Sequence, residues 1–306
     1  MIVRQFADPA TLNRLTNIKQ DHDDKNIAWP NLMVNSKESD FEKKLNETSL
    51  TLLSNIHGKA DCKIDGQPFK VCSSVFLIIN PFQQLEYSIG TKEHIETTNI
   101  HFNYSFIQNL YSYFTESDAS LLDNIENSEN NTLPIFFNEL HYKNKEVSTL
   151  ITQLSQCTEA YQFEEKLSEI GVQLFLAQNE CCRKLKYLKS RKTSTQKELY
   201  RRISRAKDII FYNYAQPISV EEISKTICVS KYHFSRLFKD MYGMSPYQFL
   251  KIVRLEKAKE LLLKDYSIEE IAHQVGYTES NSFINAFKSY TKTYPTEYRK
   301  LISKNE

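Results

Sequence analysis

Two short stretches in the last third of the chain carry hydrogen-bond donors on one side and apolar groups on the other. Lys231, Tyr232, Ser235, Arg236 and Lys239 line the first, and Ser280, Asn281, Ser282, Asn285 and Lys288 line the second. Phe234, Leu237 and Phe238 back the first, and Phe283, Ala286 and Phe287 the second, at the i, i+3, i+4 spacing of a helix. The chemistry on offer is recognition. Guanidinium, ammonium, amide and hydroxyl groups donate to acceptors, and a short helix with this front fits a major groove about 12 Å wide. Nothing stands at nucleophile, phosphate-loop or carboxylate-pair spacing, so neither an enzyme nor a cofactor is expected.

The elements that must position these donors are written twice. ISVEEISKTICVSKYHFSRLFKDMYGMSPYQFL opens at Ile218, and YSIEEIAHQVGYTESNSFINAFKSYTKTYPTEYR opens at Tyr266. Ser219 pairs with Ser267, Glu222 with Glu270 and Ile223 with Ile271 at an offset of 48; one inserted residue then pairs Phe234 with Phe283 and Pro246 with Pro295 at 49. A repeat of this period asks for two like supersecondary units. Each Ser-x-x-Glu predicts a capping box, and an apolar stripe predicts a short helix after it. That stripe stops at Cys228 in one copy and at Gly276 in the other; Gly276 suits a left-handed turn, and Cys228 is less comfortable there. Between the copies, Pro246–Lys264 predicts a long joining helix, with Phe249, Ile252, Val253, Leu255, Ala258, Leu261 and Leu262 on its buried side.

With these landmarks in place, the stretch from near Leu199 to Leu301 resembles the DNA-binding domain of AraC/XylS-family transcription regulators. The residues that carry the resemblance are the Ser-x-x-Glu-Ile start, Ser230, Arg236-Leu237-Phe238-Lys239, Gly243-x-Ser245-Pro246, Arg254, Ala258, Leu261-Leu262, Ile268-x-Glu270-Ile271-Ala272, Gly276-Tyr277, Phe283, Phe287-Lys288, Pro295 and Tyr298-Arg299. Two positions depart from the family pattern: Lys292 stands where Gly is usual, and Asn285 where a basic residue is common. The second departure implies that the C-terminal unit adds less affinity than the first. By the family's pattern, Tyr232, Ser235 and Arg236 read bases in the first unit, and Ser280, Asn281, Ser282 and Asn285 in the second. Lys231, Lys239, Lys288 and Arg299 are then the phosphate contacts. His233 is expected to pack at the helix edge. The implied partners are double-stranded DNA, RNA polymerase for an activator, a small-molecule effector of unknown kind, and a second copy of the chain.

Charge is segregated in the same sense. Residues 191–306 hold 21 Lys and Arg against 13 Asp and Glu, a net of +8, while residues 1–190 hold 18 against 25, a net of −7. A basic module beside an acidic remainder is the footprint of a polyanion binder attached to something else. The six cysteines, Cys62, Cys72, Cys157, Cys181, Cys182 and Cys228, show no C-x-x-C pair and no His at zinc spacing, so no metal is expected and the thiols read as reduced. Met1-Ile2-Val3-Arg4 leads into a polar segment rather than an apolar leader, and no apolar run of membrane length follows. A cytoplasmic protein without membrane contact is the expectation.

Residues 1–48 are polar and uninformative beyond a strand candidate at 27–34. From Ser49 the signal turns to short strands: Leu50–Ile56, Ala60–Ile64, Gln67–Val71 after an Asp65-Gly66 hairpin, Val75–Ile79 stopped by Asn80-Pro81, Leu85–Ile89 and Ile95–Phe102. This spacing predicts an antiparallel sandwich or small barrel. The order resembles the cupin-like sensing domain that precedes the DNA-binding domain in many AraC-family regulators. His57, His94 and His101 are isolated and Phe82-Gln83-Gln84-Leu85 offers no histidine, so the barrel reads as a binding cavity rather than a metal enzyme. A helix near Phe106–Phe114 and an acidic loop at Asp118–Asn131 follow. Two amphipathic helices are expected over 144–188, capping the barrel or, as the resemblance implies, forming a dimer interface.

The expected fold is therefore multidomain α and β: an N-terminal cupin-like antiparallel β-barrel with two following helices, and a C-terminal all-α domain of two helix-turn-helix units joined by a long helix. Its parts are 1–143 for sensing, 144–188 for the helical dimerisation pair, 189–198 for the linker and 199–306 for DNA binding. Arg201, Arg202 and Arg205 either meet phosphates or are solvated. Two other classes stay open: a cupin-type metal-dependent enzyme with a helical appendage, marked by stoichiometric metal, and a protein-protein interaction module, marked by no salt-dependent affinity for duplex DNA.

Overall fold

In a computed structural model of the chain, the residues described are 2–3, 30–38, 41–45, 48–89, 95–115, 133, 135–188 and 193–302. The chain divides into two compact units, Met1–Cys182 and Arg183–Glu306.

Among the described residues the first unit is built on ten strands: β1 (Ile2–Val3), β2 (Leu32–Glu38), β3 (Phe41–Leu45), β4 (Leu50–His57), β5 (Lys59–Ile64), β6 (Gln67–Cys72), β7 (Val75–Ile79), β8 (Leu85–Ile89), β9 (Ile95–Phe102) and β10 (Leu140–Tyr142). They form a six-stranded sheet, β1-β2-β9-β4-β7-β10, and a four-stranded sheet, β3-β8-β5-β6. All pairings are antiparallel except β1 with β2, which is parallel. Among the described residues no ladder joins the two sheets, so the closed barrel expected from the strand spacing is instead a pair of open sheets. A side chain bridges them: Asn55 of β4 donates to Val71 O of β6 at 2.9 Å and accepts from Tyr87 Oη of β8 at 3.4 Å. The Asp65-Gly66 hairpin has φ of +48° and +78°, the left-handed pair that a type I′ turn requires.

Helices α1 (Tyr104–Thr115), α2 (Lys145–Gln156) and α3 (Ala160–Tyr187) cover one face of the six-stranded sheet. Leu50 and Leu52, Phe76 and Ile78, and Ile100 and Phe102 alternate onto that face. Val147, Leu150, Ile151 and Leu154 from α2 meet them there, with Phe163, Leu167, Ile170, Leu174 and Phe175 from α3. The two stripes read from the sequence over 144–188 are thus buried against the sheet, at about 1.5–3 kcal/mol per large side chain. Gly171 lets α3 approach α1, since a Cβ there would lie 2.5 Å from Leu110 Cδ2. His101 accepts or donates to Thr51 Oγ1 at 2.9 Å and Ser49 Oγ at 3.2 Å within the sheet, and His57 is exposed. His94 and the acidic stretch 118–131 lie outside the described residues. No helix of the described residues is long and apolar enough to cross a membrane.

The second unit is helical: α4 (Thr193–Tyr212), α5 (Val220–Thr226), α6 (Lys231–Tyr242), α7 (Pro246–Leu262), α8 (Ile268–Gln274), α9 (Ser280–Thr291) and α10 (Pro295–Ile302). Helix α4 begins at Thr193, inside the stretch read as linker, because TSTQKEL is helix-compatible once Tyr200, Ile203, Ala206 and Ile210 anchor the following turns in the core. The capping boxes are formed: Ser219 Oγ accepts from Glu222 N at 3.0 Å, and Ser267 Oγ from Glu270 N at 3.1 Å, with each glutamate accepting from the serine amide in return. Those bonds hold both carboxyls below the ordinary glutamate range.

Helix α7 buries Leu250, Val253, Leu255, Ala258 and Leu262, while Phe249, Ile252 and Leu261 are half-buried. Leu250 was not expected on the buried side. Helix α7 is covered from two directions: Phe249 meets Phe238 of α6 at a centroid distance of 5.6 Å, and Leu255, Ala258 and Leu262 join the core of α8 and α9.

The left-handed positions show where the two copies differ. Gly243 ends α6 at φ +72°, and its partner in the repeat, Lys292, ends α9 at φ +66°. Cys228 holds φ +53° where Gly276 holds +85°. A side chain in this region costs on the order of 1 kcal/mol. Lys292→Gly and Cys228→Gly should each stabilise the chain by about 1 kcal/mol, and urea unfolding reads the gain. A loss in both variants would mean that these side chains contribute more than their backbones cost.

Candidate nucleic-acid interface

Helices α6 and α9 are held in the same way in both copies. The turn before α6 closes with Val229 N donating to Ser224 O at 3.0 Å, and the turn before α9 with Tyr277 N donating to Ala272 O at 2.9 Å. Their apolar backs match: Phe234–Phe238 at 5.7 Å and Phe283–Phe287 at 5.6 Å, each stack extended by the next helix through Phe238–Phe249 at 5.6 Å and Phe287–Tyr298 at 5.4 Å. All four phenylalanines are fully buried. With the backs fixed, the opposite sides are turned outward.

On α6, Lys231, Tyr232, Arg236 and Lys239 are exposed, Tyr232 to 90% of its surface, and Ser235 and His233 are half-buried. On α9, Asn281, Ser282, Asn285 and Lys288 are exposed and Ser280 is half-buried. The two fronts differ in charge. Helix α6 carries Lys231, Arg236 and Lys239 against Asp240, whereas α9 carries Lys288 alone and has Glu279 as its N-cap residue. Ser282 Oγ lies 3.4 Å from a Glu279 carboxylate oxygen, and Lys288 Nζ donates to Tyr294 Oη at 2.7 Å over the Tyr294 ring.

Arg299 is placed differently from the other candidates. It is half-buried, and it donates from Nε to Leu262 O at 3.2 Å and from a terminal nitrogen to Tyr266 O at 2.5 Å. It thus closes the end of α7 just before the second copy begins. Sequence reading missed that Arg254 does the same for the first copy, donating from Nε to Tyr214 O at 2.7 Å and from a terminal nitrogen to Gln216 O at 3.2 Å. Both arginines stood among the landmarks, Arg299 directly after Pro295-x-x-Tyr298 and Arg254 five residues after Phe249, but a carbonyl partner leaves no mark on the sequence. Arg254 also lies over the Tyr277 ring at 5.6 Å. Burial lowers its pKa, yet a guanidinium remains charged at any physiological pH. Of the α4 arginines, Arg202 donates to Cys228 O at 3.0 Å and pairs with Glu198, so it braces the turn before α6.

Arg254→Ala should destabilise the chain by about 1–2 kcal/mol, because it removes a charged donor from the part-buried Tyr214 carbonyl and from the exposed Gln216 carbonyl. Arg254→Lys should recover little, since an ammonium cannot span both oxygens. Chemical denaturation of the three proteins checks this. Equal stability of wild type and Arg254→Ala would remove the clamp.

Residues 223–301 match the family model described as "Helix-turn-helix domain". They form an AraC-type helix-turn-helix domain. The chain is 34% identical over 104 residues to the lactose operon transcription activator of Staphylococcus xylosus, covering 34% of this chain and 37% of that one. It is 35% identical over 91 residues to the raffinose operon transcriptional regulatory protein of Pediococcus pentosaceus, covering 29% and 33%. The chain therefore spans about a third of the length of these relatives. Among solved structures, the C-terminal domain of AraT, a response regulator from Geobacillus stearothermophilus, is 34% identical, covering 33% of this chain and 84% of that one with a TM-score of 0.32.

Proposed function

We propose that the chain is a sequence-specific DNA-binding transcription regulator, an activator, that reads duplex DNA with α6 and α9. The observation that supports this best is the pair of donor-bearing helix fronts, each fixed by a matched aromatic back, within an AraC-type domain whose segment is net basic. Lys231, Lys239 and Lys288 contact phosphates and set the register. Tyr232, Ser235 and Arg236 read bases from α6, and Ser280, Asn281, Ser282 and Asn285 from α9. Arg299, with two donors committed to carbonyls, positions α10 and reaches phosphate only with what remains.

The first unit is the regulatory part, a cupin-like sensor that answers to a small effector or to dimerisation, with RNA polymerase as the downstream partner. Tyr161, Leu176 and Tyr187 are exposed apolar groups on α3, which supports the helices of 144–188 as the self-association surface. Control requires that effector or partner bind one arrangement of the chain better than another. Mapping bound sites across the genome tests the reading: one recurrent motif beside a few promoters supports it. Mobility shifts at two salt concentrations showing no salt-dependent affinity for any duplex would sink it.

A further inference from the structure

The first unit brings together three side chains that the recognition surface does not use: Glu139, His141 and Cys181. Glu139 precedes β10 and His141 lies within it, while Cys181 sits late in α3, 42 residues beyond Glu139. One ligand atom from each lies within 4.8 Å of the other two. Cys181 Sγ is 3.1 Å from Glu139 Oε1, and His141 Nδ1 is 3.9 Å from the same oxygen. Glu139 and Cys181 are 2% and 1% exposed.

A tetrahedral zinc site with bonds of about 2.0–2.3 Å holds its ligand atoms roughly 3.3–3.8 Å apart, so the three need only small side-chain movements to meet one ion. The backbone that carries them is already fixed. Gln178, one turn before Cys181 on α3, donates to Ile135 O at 2.9 Å and accepts from Phe137 N at 3.2 Å, docking the segment that leads into Glu139. His141 is registered opposite Phe76 in the β10–β7 ladder and stacks on its ring at 5.2 Å. These contacts hold the backbone that leads into Glu139 and orient the His141 ring.

We propose that Glu139, His141 and Cys181 bind one zinc-class divalent cation between the end of the six-stranded sheet and α3. The thiolate selects a borderline-soft ion over magnesium or calcium, and imidazole with carboxylate suits zinc or cobalt. Binding displaces the thiol proton to solvent and leaves a fourth coordination position for another ligand. This is not the expected cupin arrangement of histidines on facing strands. Sequence spacing hides it, because no two of the ligands form a C-x-x-C or His-x₃–₅-His pattern.

The test is cobalt(II) titration of the metal-stripped, reduced full-length chain, followed by absorption and by displacement with zinc(II). One cobalt per chain with a thiolate-to-metal charge-transfer band is expected. The band should survive in Cys182→Ser, the exposed neighbour, and vanish in Cys181→Ser. In His141→Gln and Glu139→Gln cobalt affinity should fall by at least about tenfold, with the fold checked by circular dichroism. If Cys181→Ser does not fold, the two conservative ligand variants still decide the matter. No stoichiometric cobalt in wild type, a band that follows Cys182 instead, or unchanged affinity in both His141→Gln and Glu139→Gln overturns the proposal.

Discussion

Arg236→Ala is expected to weaken binding to the preferred site by about 1–3 kcal/mol and to flatten preference at a single base position. The guanidinium is exposed on the front of α6 while its neighbours Leu237 and Phe238 are buried, so the substitution removes a donor fork without opening the core. A fork of this kind grips guanine O6 and N7 together, and a bidentate contact discriminates against the other bases. Lys239→Ala is the matched comparison. An ammonium on phosphate carries no sequence information, so that variant should lose affinity evenly across sequences and lower the slope of log K against log salt by about 1. Binding-site selection on randomised duplexes with both variants separates the two roles. An unchanged motif for Arg236→Ala would take that residue out of readout. The weaker charge of α9, with Glu279 at its N-cap, leads the same experiment to expect a smaller effect from Asn285→Ala.

Gly276→Ala should be the most damaging small substitution in the helical unit, at about 3 kcal/mol. Two costs add. The residue holds φ +85°, where a side chain is strained, and an added Cβ would lie 2.8 Å from Ala215 O and from a terminal nitrogen of Arg254. A backbone carbonyl cannot swing aside, and moving Arg254 breaks its bonds to Tyr214 and Gln216. Gly243→Ala is the control: its φ is +72°, but nothing lies within 4 Å of the added carbon, so it should cost only about 1 kcal/mol. Thermal or urea unfolding that ranks the two equally would show that the contact at Gly276 relaxes without cost.

What was legible in the chain depended on whether the determinant was local. The capping boxes at Ser219 and Ser267, the Asp65-Gly66 hairpin and the buried VFLII strand each follow from a few adjacent residues, and each is present in the structure. The duplication was visible because it repeats residue types as well as shape. Determinants that bring distant residues together were not visible. Strand pairing places β9 between β2 and β4, and an Asn55 side chain instead of a ladder bridges the two sheets. Arg254 and Arg299 were landmarks without a task until their carbonyl partners were located. Helix α7 is covered from two directions, and residues facing both, Phe249 and Leu255 among them, were legible as buried, whereas Leu250 was left out.

That doubly covered helix has a consequence for how the domain comes apart. Helix α7 shares side-chain contacts with α6 on one flank and with α8 and α9 on the other, so releasing either half strips water-shielded surface from the same rod. Neither half can melt by itself without exposing what stabilises its twin. The pair should therefore lose structure in one cooperative step, with calorimetric and van't Hoff enthalpies in agreement for that transition.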